Sequence, residues 1–264
     1  MSVETFTGAT VHADGFDIAY REAGSGAPLV FLHGAGGAAI AAAHEALAAD
    51  FRVILFEIPG FGESPANTRS ATAAQLADTM HEAARRVTGG PYTLAGTSFG
   101  SRIASWAAVR HADEIERLVL LAPTGVLPDG FTPPTGEQML GGPERLYAHP
   151  ENARPRAPLS LGTAAKQAEL VGRLLTPRDE ELEAAYRTLD VPTLLLFGTH
   201  DPRIPASLAR RYLELNPDFA VLFVYDAGHV LEEERPEATA DAIGDFARRG
   251  AGFVVNRNDN RIFP

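Results

Sequence analysis

The sequence predicts an α/β fold, with a mostly parallel central sheet and helices on both of its faces. Three observations predict it. Short apolar runs recur along the chain, each followed by a loop and then by a segment of helical periodicity. Most of these runs are apolar throughout rather than alternating, as strands buried on both faces must be. Between residues 124 and 189 the rhythm stops, which predicts an insertion carried above the sheet.

The first two strands span Glu4–Val11 and Phe16–Glu22, around an Asp14-Gly15 hairpin turn. After the Gly24-Ser25-Gly26 loop, Pro28–Leu32 reads as a short buried strand. His33-Gly34-Ala35-Gly36-Gly37 follows it, ahead of an alanine-rich amphipathic helix that reaches Ala49. Such a loop exposes backbone N–H groups of the kind an oxyanion needs, or it is simply a flexible connection. Phe51–Ile58 is the next strand, and Pro59-Gly60-Phe61-Gly62-Glu63-Ser64 turns out of it. Ser70–Val87 is a helix with Leu76, Met80, Ala84 and Val87 on one face.

Pro91–Ala95 is another strand, and a helix carrying Ile103, Trp106, Ala107 and Arg110 begins soon after it. Between them stands Gly96-Thr97-Ser98-Phe99-Gly100. A serine between two glycines on a strand-to-helix turn is the geometry of a nucleophile elbow. The turn is too tight for a Cβ two residues to either side, and it aims backbone N–H groups at charge forming beside Ser98. Ile115–Leu121 is the sixth strand. Residues 124–189 show no strand; helices are expected at Gly136–Tyr147, Thr163–Leu175 and Pro177–Thr188, forming a lid or a small second module. Strand and helix then resume with Pro192–Phe197, Pro205–Leu215 and Phe219–Tyr225. A long acidic helix runs to Arg249, and the tail is polar apart from residues 253–255 and 262–263.

A hydroxyl becomes a good nucleophile only when a base takes its proton, and the base works best when a carboxylate fixes its tautomer. Asp201 lies just past the strand at 192–197, and His229 just past the strand at 219–225. Both are therefore on loops at the C-terminal edge of a parallel sheet, where open α/β sheets place their sites.

The order Ser98, Asp201, His229 resembles the α/β-hydrolase superfamily, in its serine-nucleophile branch. The likeness covers essentially the whole chain and rests on four motifs: His33-Gly34, residues 59–64, residues 96–100 and Gly228-His229. It implies a hydrolase core over residues 1–123 and 190–264, with a small helical cap at 124–189 inserted after the sixth strand. It implies Ser98 as nucleophile, His229 as general base and Asp201 as the residue orienting the imidazole. The oxyanion hole would be the backbone N–H groups of Ala35 and Phe99, and His33, Gly34, Thr97 and Thr124 are candidates to line the substrate pocket. Glu57 stands where relatives often carry Asp and is expected to be structural. The alternative acid position, at Ala122-Pro123-Thr124, holds no carboxylate. Serine at the elbow favours acyl chemistry over the haloalkane dehalogenase and epoxide hydrolase branches, which carry Asp there.

The expected activity is hydrolysis of a small or medium carboxylic ester through an acyl-enzyme. The alternative is a carbon–carbon hydrolase of vinylogous diketone acids, in which Arg154, Arg156, Lys166 or Arg173 would bind a substrate carboxylate. Acyl transfer, perhydrolysis and ligand sensing without turnover are further readings. His200 reads as a loop residue, and His44, His81, His111 and His149 as surface or satisfied histidines rather than metal ligands. Glu232, Glu233 and Glu234 read as the solvated start of a helix, Arg102 as an ion-pair or capping residue, and Trp106 as core.

The bulk numbers bound the rest. At 264 residues the chain is one large domain, with or without an insertion; 45% of it is hydrophobic and 22% charged. A formal net charge of −11 would repel nucleic acid and anionic membranes. There is no cysteine for disulfides or thiolate metal sites. No nucleotide-binding glycine loop is present, so no cofactor is implied. No signal peptide and no membrane span is expected, and hence a soluble cytoplasmic protein, monomer or homodimer, acting on a small molecule.

Overall fold

A computed structural model of the chain describes residues 5–156, 158–250, 255–256 and 261–262. Among these, eight strands form one sheet: β1 (Thr7–Ala13), β2 (Phe16–Ala23), β3 (Pro28–Leu32), β4 (Arg52–Phe56), β5 (Tyr92–Thr97), β6 (Ile115–Leu121), β7 (Thr193–Gly198) and β8 (Ala220–Val224). Their spatial order is β1-β2-β4-β3-β5-β6-β7-β8. The first two strands form the antiparallel hairpin, and β3 to β8 run parallel. Val255–Asn256 and Arg261–Ile262 form a separate antiparallel pair. Glu4 of the expected first strand and residues 253, 254 and 263 of the expected apolar tail lie outside the described residues.

Strand alternation splits the core into two layers. On one face Val30, Leu32, Ile54, Phe56, Leu118, Leu120 and Phe197 pack beneath helices α2 (Ala73–Thr88) and α3 (Phe99–Arg110). On the other, Leu29, Phe31, Val53, Leu55, Val119 and Leu196 meet α1 (Ala42–Leu47) and residues of a C-terminal helix such as Ile243 and Phe246. Both faces being dry explains why these strands read as unbroken apolar runs. The start and stop of α2 are local: the Thr72 side chain accepts the Gln75 N–H, and Gly89, at φ 72°, donates back to the Arg85 carbonyl.

Between β6 and β7 the chain forms the helical insertion: α4 (Gly136–Met139), two 3₁₀ turns at Pro143–Arg145 and Pro150–Asn152, α5 (Leu161–Leu174) and α6 (Glu180–Tyr186). After β7 come α7 (Ala209–Leu215) and, past β8, α8 (Leu231–Glu234) and α9 (Pro236–Arg249). Three expected helices are corrected. The helix expected up to Ala49 begins only at Ala42, because Gly34–Gly37 forms a turn and Ala41 is extended. The helix expected at Gly136–Tyr147 stops at Met139, ahead of Gly141-Gly142-Pro143, and a proline interrupts the N–H ladder. The acidic helix breaks at Arg235 for the same reason, since Pro236 begins a new one.

Candidate active site

Ser98 sits between β5 and α3 with φ 51° and ψ −115°, a conformation L-residues rarely adopt. Ala122, at the end of the adjacent β6, also has a positive φ, and the Ser98 N–H donates to the Leu121 carbonyl at 2.9 Å. The flanking glycines are demanded by space. A Cβ on Gly96 would lie 2.5 Å from the Gly100 oxygen, and one on Gly100 would lie 2.2 Å from the Leu32 oxygen. The carbonyl of Ser98 is held by the Thr124 hydroxyl at 2.7 Å and by the Ser101 hydroxyl. The turn is thus gripped on three sides while Ser98 itself stays half-buried and reachable.

The two loops beyond β7 and β8 bring Asp201 and His229 to this serine. His229 Nε2 lies 2.9 Å from Ser98 Oγ, and His229 Nδ1 lies 2.8 Å from Asp201 Oδ2. The other Asp201 oxygen accepts the backbone N–H groups of Arg203 at 2.7 Å and Ile204 at 2.9 Å. These three hydrogen bonds hold the carboxyl group aimed at Nδ1, so the ring's Nδ1–H donates to it and Nε2 faces the Ser98 hydroxyl as an acceptor. The His229 N–H donates to the Leu146 carbonyl of the insertion at 2.7 Å, which ties this loop to what covers it.

The other residues singled out by sequence are placed as follows. Phe99 is the first residue of α3, directly after Ser98. Gly34 packs against Ser98, a Cβ there lying 3.3 Å from the serine Cβ, and half-buried Ala35 comes next. His33 is buried with both ring nitrogens engaged: Nδ1 donates to the Gly34 carbonyl and Nε2 accepts the Ile58 N–H at 3.0 Å. Burial lowers its pKa to about 4, so the ring is neutral. Thr124 is buried under the elbow, its hydroxyl spent on Ser98. The Thr97 hydroxyl donates to Glu232. Glu57 accepts the Glu63 N–H and closes the 59–64 turn. Exposed His200 stays at the loop surface. Among the described residues no group of three or more His, Cys, Asp or Glu side chains is placed to hold a metal ion.

The glutamate run is corrected most. Glu232, Glu233 and Glu234 are all buried, 3–7% exposed, and each has its own partners. Glu233 accepts the Tyr147 hydroxyl at 2.6 Å and pairs with Arg156 at 2.8 Å. Glu234 accepts the Ala148 N–H at 2.7 Å and the Gly228 N–H. Burial and the Glu233 hydrogen bond push the Tyr147 phenol up. Arg154 pairs with Glu45 at 2.9 Å. Exposed Arg173 donates to the Asn67 carbonyl, and Lys166 is exposed on α5. A run of three charges looks solvated in sequence; only the insertion folding over it reveals otherwise.

Arg102 is fully buried. Its guanidinium donates to the Thr124 carbonyl at 2.8 Å and to Asp179 at 3.0 Å, joining α3 to the insertion. Trp106, half-buried, also donates to Asp179 at 3.0 Å, so it is more than packing. Asp179 went unnoticed in the sequence. Its one visible signal is its place just before α6, where its other oxygen caps the helix by accepting the Leu182 N–H.

The alpha/beta hydrolase family model matches residues 29–242. The pimeloyl-[acyl-carrier protein] methyl ester esterase of Vibrio cholerae is 27% identical over 87% of this chain and 98% of its own length. The 2-hydroxy-6-oxo-6-(2'-aminophenyl)hexa-2,4-dienoic acid hydrolase of Metapseudomonas resinovorans is 24% identical over 92% of each chain. A bacterial membrane phospholipase A structure superposes with a TM-score of 0.75 at 24% identity, over 93% of this chain and 87% of that one, a likeness of fold. No helix among the described residues is long and apolar enough to cross a membrane.

Proposed function

The chain belongs to the alpha/beta hydrolase family, and on that premise we propose that it hydrolyses small or medium carboxylic esters through an acyl-enzyme. The observation that carries this reading is the hydrogen-bonded line from Ser98 Oγ through His229 to Asp201. Ser98 attacks the ester carbonyl carbon while its proton passes to His229 Nε2. The carbonyl oxygen, now an anion, takes hydrogen bonds from the N–H groups of Phe99 and Ala35. Collapse expels the alcohol, which leaves with the proton from His229. Water then attacks the acyl-enzyme, again losing its proton to His229, and the acid departs as Ser98 is restored. Asp201 keeps the imidazole in the accepting tautomer throughout.

Residues 1–123 and 190–264 are the catalytic core in this reading, and residues 124–189 are the cap that shapes the acyl and alcohol sites. It acts in the cytoplasm on a small-molecule substrate. The esterase likeness over nearly the whole length supports the choice of bond. So does the pairing of Arg154 and Arg156 with Glu45 and Glu233, which occupies two of the four candidate cations for a substrate carboxylate. The second reading, a carbon–carbon hydrolase of diketone acids, is favoured by the dienoic acid hydrolase relative.

The test is hydrolysis of p-nitrophenyl esters from acetate to laurate by wild type and Ser98→Ala. Serine-dependent release, lost by on the order of 10⁴-fold or more in the variant, is expected. A folded wild type silent on every ester but active on a diketone acid would move the assignment to the second reading.

A further inference from the structure

Glu232 is a titratable group that the mechanism above does not use. It lies three residues after His229, on α8, and is 5% exposed. One of its carboxyl oxygens takes the Thr97 hydroxyl, and Thr97 is the residue immediately before Ser98. The other oxygen, Oε2, is buried with no hydrogen-bond partner. Glu233 is held by Tyr147 and Arg156, and Glu234 by the Ala148 and Gly228 N–H groups, whereas the hydrogen bond of Glu232 goes to the elbow. A buried carboxylate with one bare oxygen is costly to ionise unless a nearby group gains from its charge.

We propose that Glu232 is a positioning residue for His229: its carboxyl, wedged beneath the Thr97–Ser98 turn, supplies negative charge that favours the imidazolium formed during acyl transfer. The inference rests on the serine-hydrolase reading. Burial raises the Glu232 pKa, and the Thr97 hydrogen bond and His229 pull it back down. The carboxyl therefore holds its proton to a higher pH than a free carboxylate does, and its charge bears on that of the neighbouring imidazole. The charged and titratable groups around it are few. Glu233 on its own helix opposes ionisation but is itself paired with Arg156. His44 and Glu45 come from α1, which packs on α8; Glu45 is paired with Arg154, and burial holds His44 neutral. Glu237 opens α9. Arg156 also attracts the Glu232 carboxylate, but its ion pair is with Glu233; toward the elbow, the group that feels the Glu232 charge is His229.

The experiment is the pH dependence of kcat/KM on a p-nitrophenyl ester for wild type, Ser98→Ala, Glu232→Gln and Thr97→Val. Glutamine keeps the shape and the Thr97 contact but cannot ionise, so the acidic limb should move to lower pH by about half to one unit. Thr97→Val removes the hydrogen bond that favours the carboxylate, and should move the limb the same way by less. Superimposable wild-type and Glu232→Gln profiles, beside an inactive Ser98→Ala, overturn this proposal and leave the hydrolase reading standing. Full activity in Ser98→Ala overturns both. Should Glu232→Gln fold poorly, the ring of His229 in the wild type can be titrated by NMR. A two-step curve is expected, and a single simple titration overturns the proposal.

Discussion

The elbow and the insertion above the sheet are held in different ways. Around Ser98 the backbone is fixed by contact: Gly96 and Gly100 leave no room for a single Cβ, and Thr124 and Ser101 close on the serine carbonyl. The insertion between β6 and β7 packs Leu170, Val171, Leu174, Leu182 and Tyr186 into the core and adds charge to that packing. Arg102 reaches Asp179 from inside the core, while Glu233 and Glu234 reach Tyr147, Arg156 and Ala148 from α8. Contact is rigid and intolerant of volume, whereas ion pairs with one exposed partner depend on pH and salt. The difference sets a sterically locked Ser98 turn beside an insertion that combines apolar packing with polar straps.

Breaking the elbow should have the largest effect. Gly100→Ala drives a methyl group to 2.2 Å from the Leu32 oxygen and 2.6 Å from that of His33, so main chain must move. A loss of about 4 kcal/mol or more in chemical denaturation is expected. A variant as stable as wild type would mean that the elbow is not gripped by contact at all.

Breaking the cap's deepest strap comes next. Arg102→Met keeps a similar volume but takes the cation from the Asp179 carboxylate, whose side chain is 15% exposed and retains only the Trp106 and Leu182 N–H groups. A loss of about 3 kcal/mol is expected, with proteolysis of the insertion preceding that of the core. If the whole chain instead unfolds in one step with no early cleavage, the two regions form a single cooperative unit.

Acid sharpens the comparison with the smallest effect per step. His33 beside the elbow and His44 on α1 both have folded pKa values lowered by burial from 6.5 to about 4. Above 6.5 both states are neutral and the full stability is present. As the pH falls from 6.5 to about 4 the unfolded chain takes up protons that the folded one refuses, and stability is lost. Each ring should cost about 1 kcal/mol per pH unit in that window. Thermal melts between neutrality and pH ~4 check this, and His44→Leu should flatten the slope.

Much of this was legible before the structure. Apolar runs named every parallel strand, because a strand dry on both faces has no other way to be written. The glycines at 96 and 100 pointed to Ser98, and strand-end loops pointed to Asp201 and His229, since chain order and sheet edge suffice to bring them near. What misled was charge. Glu233 and Glu234 read as solvent-facing because their partners lie among residues 147–156, about 80 positions earlier in the chain, and Glu232 because its partner is Thr97, earlier still. Asp179 escaped for the same reason, as its partners Arg102 and Trp106 lie far upstream.

The sequence by itself determined the sheet, the turn that strains Ser98 and the order of the three site residues. These depend on steric rules within a few residues and on which faces must be apolar. Only the tertiary structure decided which carboxylates are buried, which cations are already paired and what the cap rests on. A polar side chain carries no local mark of its partner; desolvation and pairing arise only when distant segments meet.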